Sequence, residues 1–188
     1  MNEAQNLGGL SKESVVSELA ALDFVVPEIP WSYGQFVIKN ANKDVVFNGT
    51  PVHIDIENRS SLDVHGWIML TVSVLISDAL HRQFAKLTVR VEEDQDGDSW
   101  ATTKVENKDR KMFGLGRVLW EKAMGIIQQS ADKLGVPVEH VVQKYPREGL
   151  APAKWDELFL PLLSKHSYKQ VDEQKWKKIY EPQKDIRK

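Results

Sequence analysis

Trp100-Ala101-Thr102-Thr103-Lys104-Val105, then Glu106 and a loop to Phe113, then Gly114-Leu115-Gly116-Arg117, is where the chain changes its periodicity. The first six residues read as a strand. From Leu115 the apolar residues Val118, Leu119, Ala123, Ile126, Ile127 and Ala131 recur, with Lys122, at spacings of three and four, which predicts a long helix. Gly135 and Pro137 end it. A strand that passes through a two-glycine turn into a helix makes an anion site, because the first helical N–H groups lack partners within the helix and carry the positive end of its dipole. Lys108, Arg110, Lys111 and Arg117 add charge at that end. A tight turn or close helix packing would select the same glycines. The stretch is not a P-loop, which needs Gly-x4-Gly-Lys-Ser/Thr, and it lacks the third glycine and downstream acid of a dinucleotide fingerprint.

Downstream, residues 136–143 are rich in Val and read as a strand. Pro152 opens a second helix through Trp155, Leu158, Phe159, Leu162 and Leu163, in which Pro161 predicts a kink or an early stop. Short strands at 169–171 and 176–180 form a closing hairpin, and the basic tail 184–188 is expected to fray. Upstream, residues 11–23 have helical spacing, and Pro27 and Pro30 make 26–33 an extended connector. Strands are expected at 35–39, 45–47, 52–57, 67–76 and 87–92, separated by Asn48-Gly49, residues 58–61 and the turn 94–98. Residues 78–84 are ambiguous and allow a helical turn. The fold class that follows is α+β with mixed pairing: a central, mostly antiparallel twisted sheet with helices packed on it.

The length of 188 residues favours one domain, divided into an N-terminal helix and connector (1–33), a strand-rich half (34–98), a second half (99–181) and a tail (182–188). A hydrophobic content of 41% argues for a packed core, and a formal charge of −2 gives no global field to attract nucleic acid or an anionic membrane. No cysteine occurs, so disulfides, thiolate metal sites and a Cys nucleophile are excluded. The first residues do not read as a signal peptide, and the longest apolar run, 67–76, is too short to span a bilayer. A cytoplasmic protein is the expectation.

Lys111-Met112-Phe113-Gly114-Leu115-Gly116 resembles the pyrophosphate loop of the GNAT acetyltransferases, usually Arg/Gln-x-x-Gly-x-Gly/Ala between a strand and a long helix. The resemblance extends through the helix, the Val-rich strand, the helix 152–166 and Ser167-Tyr168, so it covers roughly the C-terminal half. It implies a GNAT-like fold with acetyl-CoA as co-substrate. The amides of Phe113, Gly114, Leu115, Gly116 and Arg117 would hold the CoA pyrophosphate, and Lys111 would replace the usual Arg or Gln. The thioester would lie between strands 100–105 and 136–143, where an amine acceptor attacks its carbonyl directly. Leu163 stands where the family often has a general-acid Tyr.

Glu106, just past the strand, is the candidate for accepting the amine proton, against a plain reading as a solvated carboxylate. Tyr168 is the candidate proton donor to the thiolate, with Tyr145 and Tyr180 behind it; core packing is its other reading. His53, His65, His81, His140 and His166 show no paired ligand spacing, so no metal is expected. Residues 92–98 superficially resemble a calcium loop but lack its closing Glu and read as a hairpin turn. Lys175, Lys177 and Lys178 read as a protected sheet edge. Three readings follow: an N-acyltransferase acting on acyl-CoA and an amine, a non-catalytic binding module, and an unrelated α+β protein in which the glycines only shape a turn. A homodimer is left open.

Overall fold

Segments of alternating apolar and polar residues recur between Gln35 and Asn107, and in the computed structural model this region forms five consecutive antiparallel strands. The structure describes residues 24–47, 50–107, 115–144 and 152–183. The strands are β1 (Gln35–Phe47), β2 (Thr50–Leu62), β3 (Ile68–Asp78), β4 (Gln83–Glu93) and β5 (Ser99–Asn107). After them come α1 (Leu115–Leu134), β6 (Val138–Gln143), α2 (Pro152–Lys165), β7 (Lys169–Asp172) and β8 (Lys175–Tyr180). All eight strands lie in one sheet, in the order β1-β2-β3-β4-β5-β6-β8-β7. Among the described residues only the β5–β6 contact is parallel.

Register fixes what each face carries. Ile54, Val72 or Val74, Leu87 or Val89, Ala101, His140 and Tyr180 all fall on one side, and these residues form one core with α1. Because β8 is antiparallel to both β6 and β7, the crossovers β5-α1-β6 and β6-α2-β7 step the same way across the sheet. Right-handed crossovers therefore put both helices on the same face. Ring contacts agree: Trp120 of α1 meets His140 at 6.3 Å and Phe159 of α2 at 5.6 Å, while Trp155 of α2 meets Trp176 of β8 at 5.1 Å. Over β1 to β3 the same face is roofed by the connector, whose Phe24 and Val26 are buried and whose Glu28 carbonyl accepts from Ser60 Oγ at 2.6 Å.

The expected helix-packed, GNAT-like α+β arrangement is thus corrected. Strand dominates the described residues, and the two helices among them share one face of the sheet. The cause lies in the described residues between 35 and 107, where strands follow one another through short turns and no helix is supplied for the second face. That second face is polar and self-neutralising. Along three strands it carries ion pairs two residues apart: Arg59–Glu57 at 2.7 Å, Arg90–Glu92 at 2.6 Å and Lys104–Glu106 at 2.6 Å.

Several boundaries also move. The segments 35–39 and 45–47 join into one strand of 13 residues, because the intervening Asn and Lys side chains sit at an exposed sheet edge and need no burial. Residues 58–61 lie inside β2, not in a turn. Residues 78–84 make a tight hairpin, in which Asp78 Oδ1 accepts from the amides of Leu80 at 2.9 Å and Arg82 at 2.8 Å and His81 takes a left-handed φ of 58°. Pro161 sits within α2 without stopping it. The expected helix at 11–23, the turn Asn48-Gly49 and the tail 184–188 lie outside the described residues.

Candidate functional site

Where β5 meets β6 the sheet is barely closed. Two residue pairs join the strands, Trp100↔Glu139 and Ala101↔His140, and beyond them residues 102–107 and 141–143 are not paired with one another. Each strand is held on its other side, β5 by β4 and β6 by β8, so the opening has firm walls. An extended ligand laid in such a gap can bond backbone groups that the two strands do not spend on each other. Thr103 belongs to this opening, two residues past the last pair, and its buried Oγ1 has no hydrogen-bond partner among the described residues.

The chain leaves β5 at Asn107 and re-enters the described structure at Leu115, the first residue of α1. Of the residues expected to bind the cofactor, Lys111, Phe113 and Gly114 lie outside the described residues. Leu115 is buried in the core and anchors the helix start. Arg117 is exposed, 3.6 Å from Glu121. Gly116 takes no left-handed φ, and a Cβ built on it meets no heavy atom of the described residues within 4 Å. Neither backbone conformation nor packing therefore demands glycine there. Gly125 in mid-helix shares both properties, so openness at Gly116 permits a close ligand without requiring one.

The two catalytic candidates are held in different surroundings. Glu106 projects from the polar face of β5, paired with Lys104 Nζ at 2.6 Å and 3.5 Å from Gln83 Nε2. Tyr168 lies in the interior between α2 and β7, with its hydroxyl 2.5 Å from His140 Nδ1 and 2.9 Å from the Tyr180 hydroxyl. His140, Tyr168 and Tyr180 form a buried chain that starts at the last residue pair of the β5–β6 seam. Burial holds His140 down at about 4, so its ring is neutral near pH 7. Burial, with the Tyr180 hydroxyl alongside, pushes Tyr168 far above the ordinary tyrosine range, and burial pushes Tyr180 up to about 12.

This chain was only partly visible in the sequence. Each member occupies a period-two or junction position that plain core packing explains equally well; the register of β6 with β8 brings His140 near Tyr180, and the junction after α2 brings Tyr168 to both. The signal for Thr103 was its place between Ala101 and Val105 on the buried side of β5. Among the other candidates, Asp94 accepts from the amides of Asp96 at 2.9 Å and Asp98 at 3.0 Å, so that loop is a hairpin turn. His53 Nδ1 lies 2.5 Å from Asp44 and Nε2 lies 3.1 Å from Asp55. Tyr145 lies outside the described residues. No group of three or more His, Asp or Glu side chains is placed to hold a metal among the described residues. Nor, among them, is any helix long and apolar enough to cross a membrane. Comparison with known proteins finds no matching family model, no matching curated protein and no matching solved structure.

Proposed function

We propose that the protein takes acyl-CoA into the opening between β5 and β6 and transfers the acyl group to a primary amine by direct attack. The observation that carries this reading is the parallel seam of two residue pairs, with α1 beginning beyond the open end of β5. A thioester laid in the gap would meet backbone N–H groups of the two strands that are not paired across the seam, and these can polarise its carbonyl oxygen. The amine nitrogen forms the C–N bond, the C–S bond breaks, and the thiolate leaves. Glu106 is the group to accept the amine proton, directly or through water. His140 and Tyr168 make the route by which a proton reaches the seam from the interior. The CoA pyrophosphate would sit on the amides at the start of α1, and the reading places the protein in the cytoplasm, where CoA is abundant.

Isothermal titration with acetyl-CoA tests it, on the wild type and on Gly116→Trp, a site with space for a side chain. Saturable wild-type binding that vanishes in a folded variant is the expected outcome. No wild-type heat up to millimolar ligand overturns the reading. A second reading, binding without turnover, is favoured by the Tyr168 hydroxyl, which is committed to His140 and Tyr180 in the interior. Release of free CoA in the presence of amines separates the two.

A further inference from the structure

Among the described residues the sheet ends in two strands, β1 and β7, and they are protected against pairing with another chain to different degrees. Strand β7 has four residues, its register with β8 shifts between Gln170 and Asp172, and Lys169 and Asp172 place charges on it. These are the devices that blunt a free edge. Strand β1 also carries charges, at Lys39, Lys43 and Asp44, but it is neither short nor irregular. It runs for 13 residues, pairs with β2 without a single register shift, and contains no proline. Its outer edge offers a row of main-chain N–H and C=O groups about 44 Å long at ~3.4 Å per residue. Strands of about five or six residues are the norm.

We propose that β1 pairs antiparallel with β1 of a second copy of this chain across a two-fold axis, joining the two sheets edge to edge. A two-fold axis perpendicular to the sheet keeps the roofed face of both copies on the same side. It matches residues of equal parity, so the same edge on each copy is complementary to itself. The side chains select the register. Centring the axis on Ala41 puts Lys39 directly opposite Lys43 twice, a like-charge arrangement that destabilises a strand pair. Centring it on Asn42 removes that clash. Lys39 then faces Val45 and Lys43 faces Ala41 on the roofed side. On the polar side Asn40 faces Asp44, an amide donor against a carboxylate, and Asn42 faces its own copy. The overlap runs over residues 37–47.

This proposal is independent of the acyl-transfer reading, since β1 and the β5–β6 opening lie at different places in the strand order. Its test uses the full chain in analytical ultracentrifugation at several concentrations. Residue 42 is exposed, so Asn42→Lys and Asn42→Asp should fold normally. Each variant alone puts like charges across the axis and is expected to dimerise about fivefold or more weakly than wild type. An equimolar mixture of the two puts Lys opposite Asp and should restore dimers. Amide exchange over residues 37–47 should also slow as wild-type concentration rises. A wild-type monomer at 100 µM, in round terms on the order of the weakest useful association, overturns the proposal. So does a dimer that both variants leave unchanged, which would belong to another surface, and so does β1 captured by an unrelated extended peptide in place of its copy.

Discussion

Two histidines respond to pH in opposite senses. His53 has carboxylates at both ring nitrogens, Asp44 on Nδ1 and Asp55 on Nε2, and only the imidazolium has two N–H groups to give them. The Asp44 hydrogen bond, aided by Asp55, raises its pKa against the cost of partial burial. What this clamp contributes is complete below the unfolded value of about 6.5 and is lost as pH rises through the higher folded value. His140 is the reverse. Its folded value of about 4 means that the unfolded chain binds the proton first, so stability falls as pH drops from about 6.5 towards 4. Over the whole interval the loss is roughly 3 kcal/mol. Urea unfolding measured against pH should therefore show His140→Gln flattening the acid limb and His53→Gln flattening only the neutral-to-alkaline side. Acid limbs that coincide in wild type and His140→Gln would contradict the buried, neutral ring.

At the scale of the element, α2 carries a proline in its interior. Pro161 lacks the N–H that would bond the preceding turn, yet the helix continues to Lys165, because Trp155, Leu162 and Leu163 are buried and hold it to the sheet. Pro161 itself is exposed. Pro161→Ala should restore the missing bond and raise stability by about 1–2 kcal/mol, after the looser unfolded chain offsets part of the gain. Thermal unfolding measures it, and a lower midpoint would mean that the helix has been shaped around the proline. The same helix shows how far local sequence carries. Its apolar spacing located it, whereas Pro161 suggested a kink or an early stop, and the helix runs on past it to Lys165 under tertiary burial. In β1 the polar residues 39–44 hid a continuous strand, since an edge needs no alternating burial. The second half was legible because its periods are clear and its breaks, Gly135 and Pro137, are unambiguous. The site was less so: Glu106 and Gly116 could be named from the strand-to-helix junction, but the seam and the His140–Tyr168–Tyr180 chain depend on registers that no local pattern encodes.

For the molecule as a whole, the roofed face depends on a strap. Lys133 in the last turn of α1 reaches the carbonyls of Val26 at 2.9 Å and Pro27 at 3.2 Å and the carboxylate of Glu28 at 2.8 Å. This ties the connector over the sheet, where Phe24 and Val26 complete the core beside β1 to β3. Lys133→Met keeps the aliphatic stem and removes all three bonds. It should lower the melting midpoint by about 3–6 °C and speed amide exchange in residues 24–29. Unchanged exchange there would show that burial of the two apolar side chains alone holds the connector.

The narrow seam between β5 and β6 also bears on the order in which the chain assembles. Strands β1 to β5 are joined by successive hairpins, so their contacts are near in sequence and form at small entropic cost. Strands β6, β8 and β7 come to them only after the chain has closed a loop containing α1, and they gain two rungs of sheet on arrival. The meander is thus the natural early unit of folding and the C-terminal strands the late one. The joint that sets last is the same opening where a ligand is proposed to lie, and an occupant bridging β5 and β6 would act as the missing rungs, slowing the first step by which the molecule comes apart.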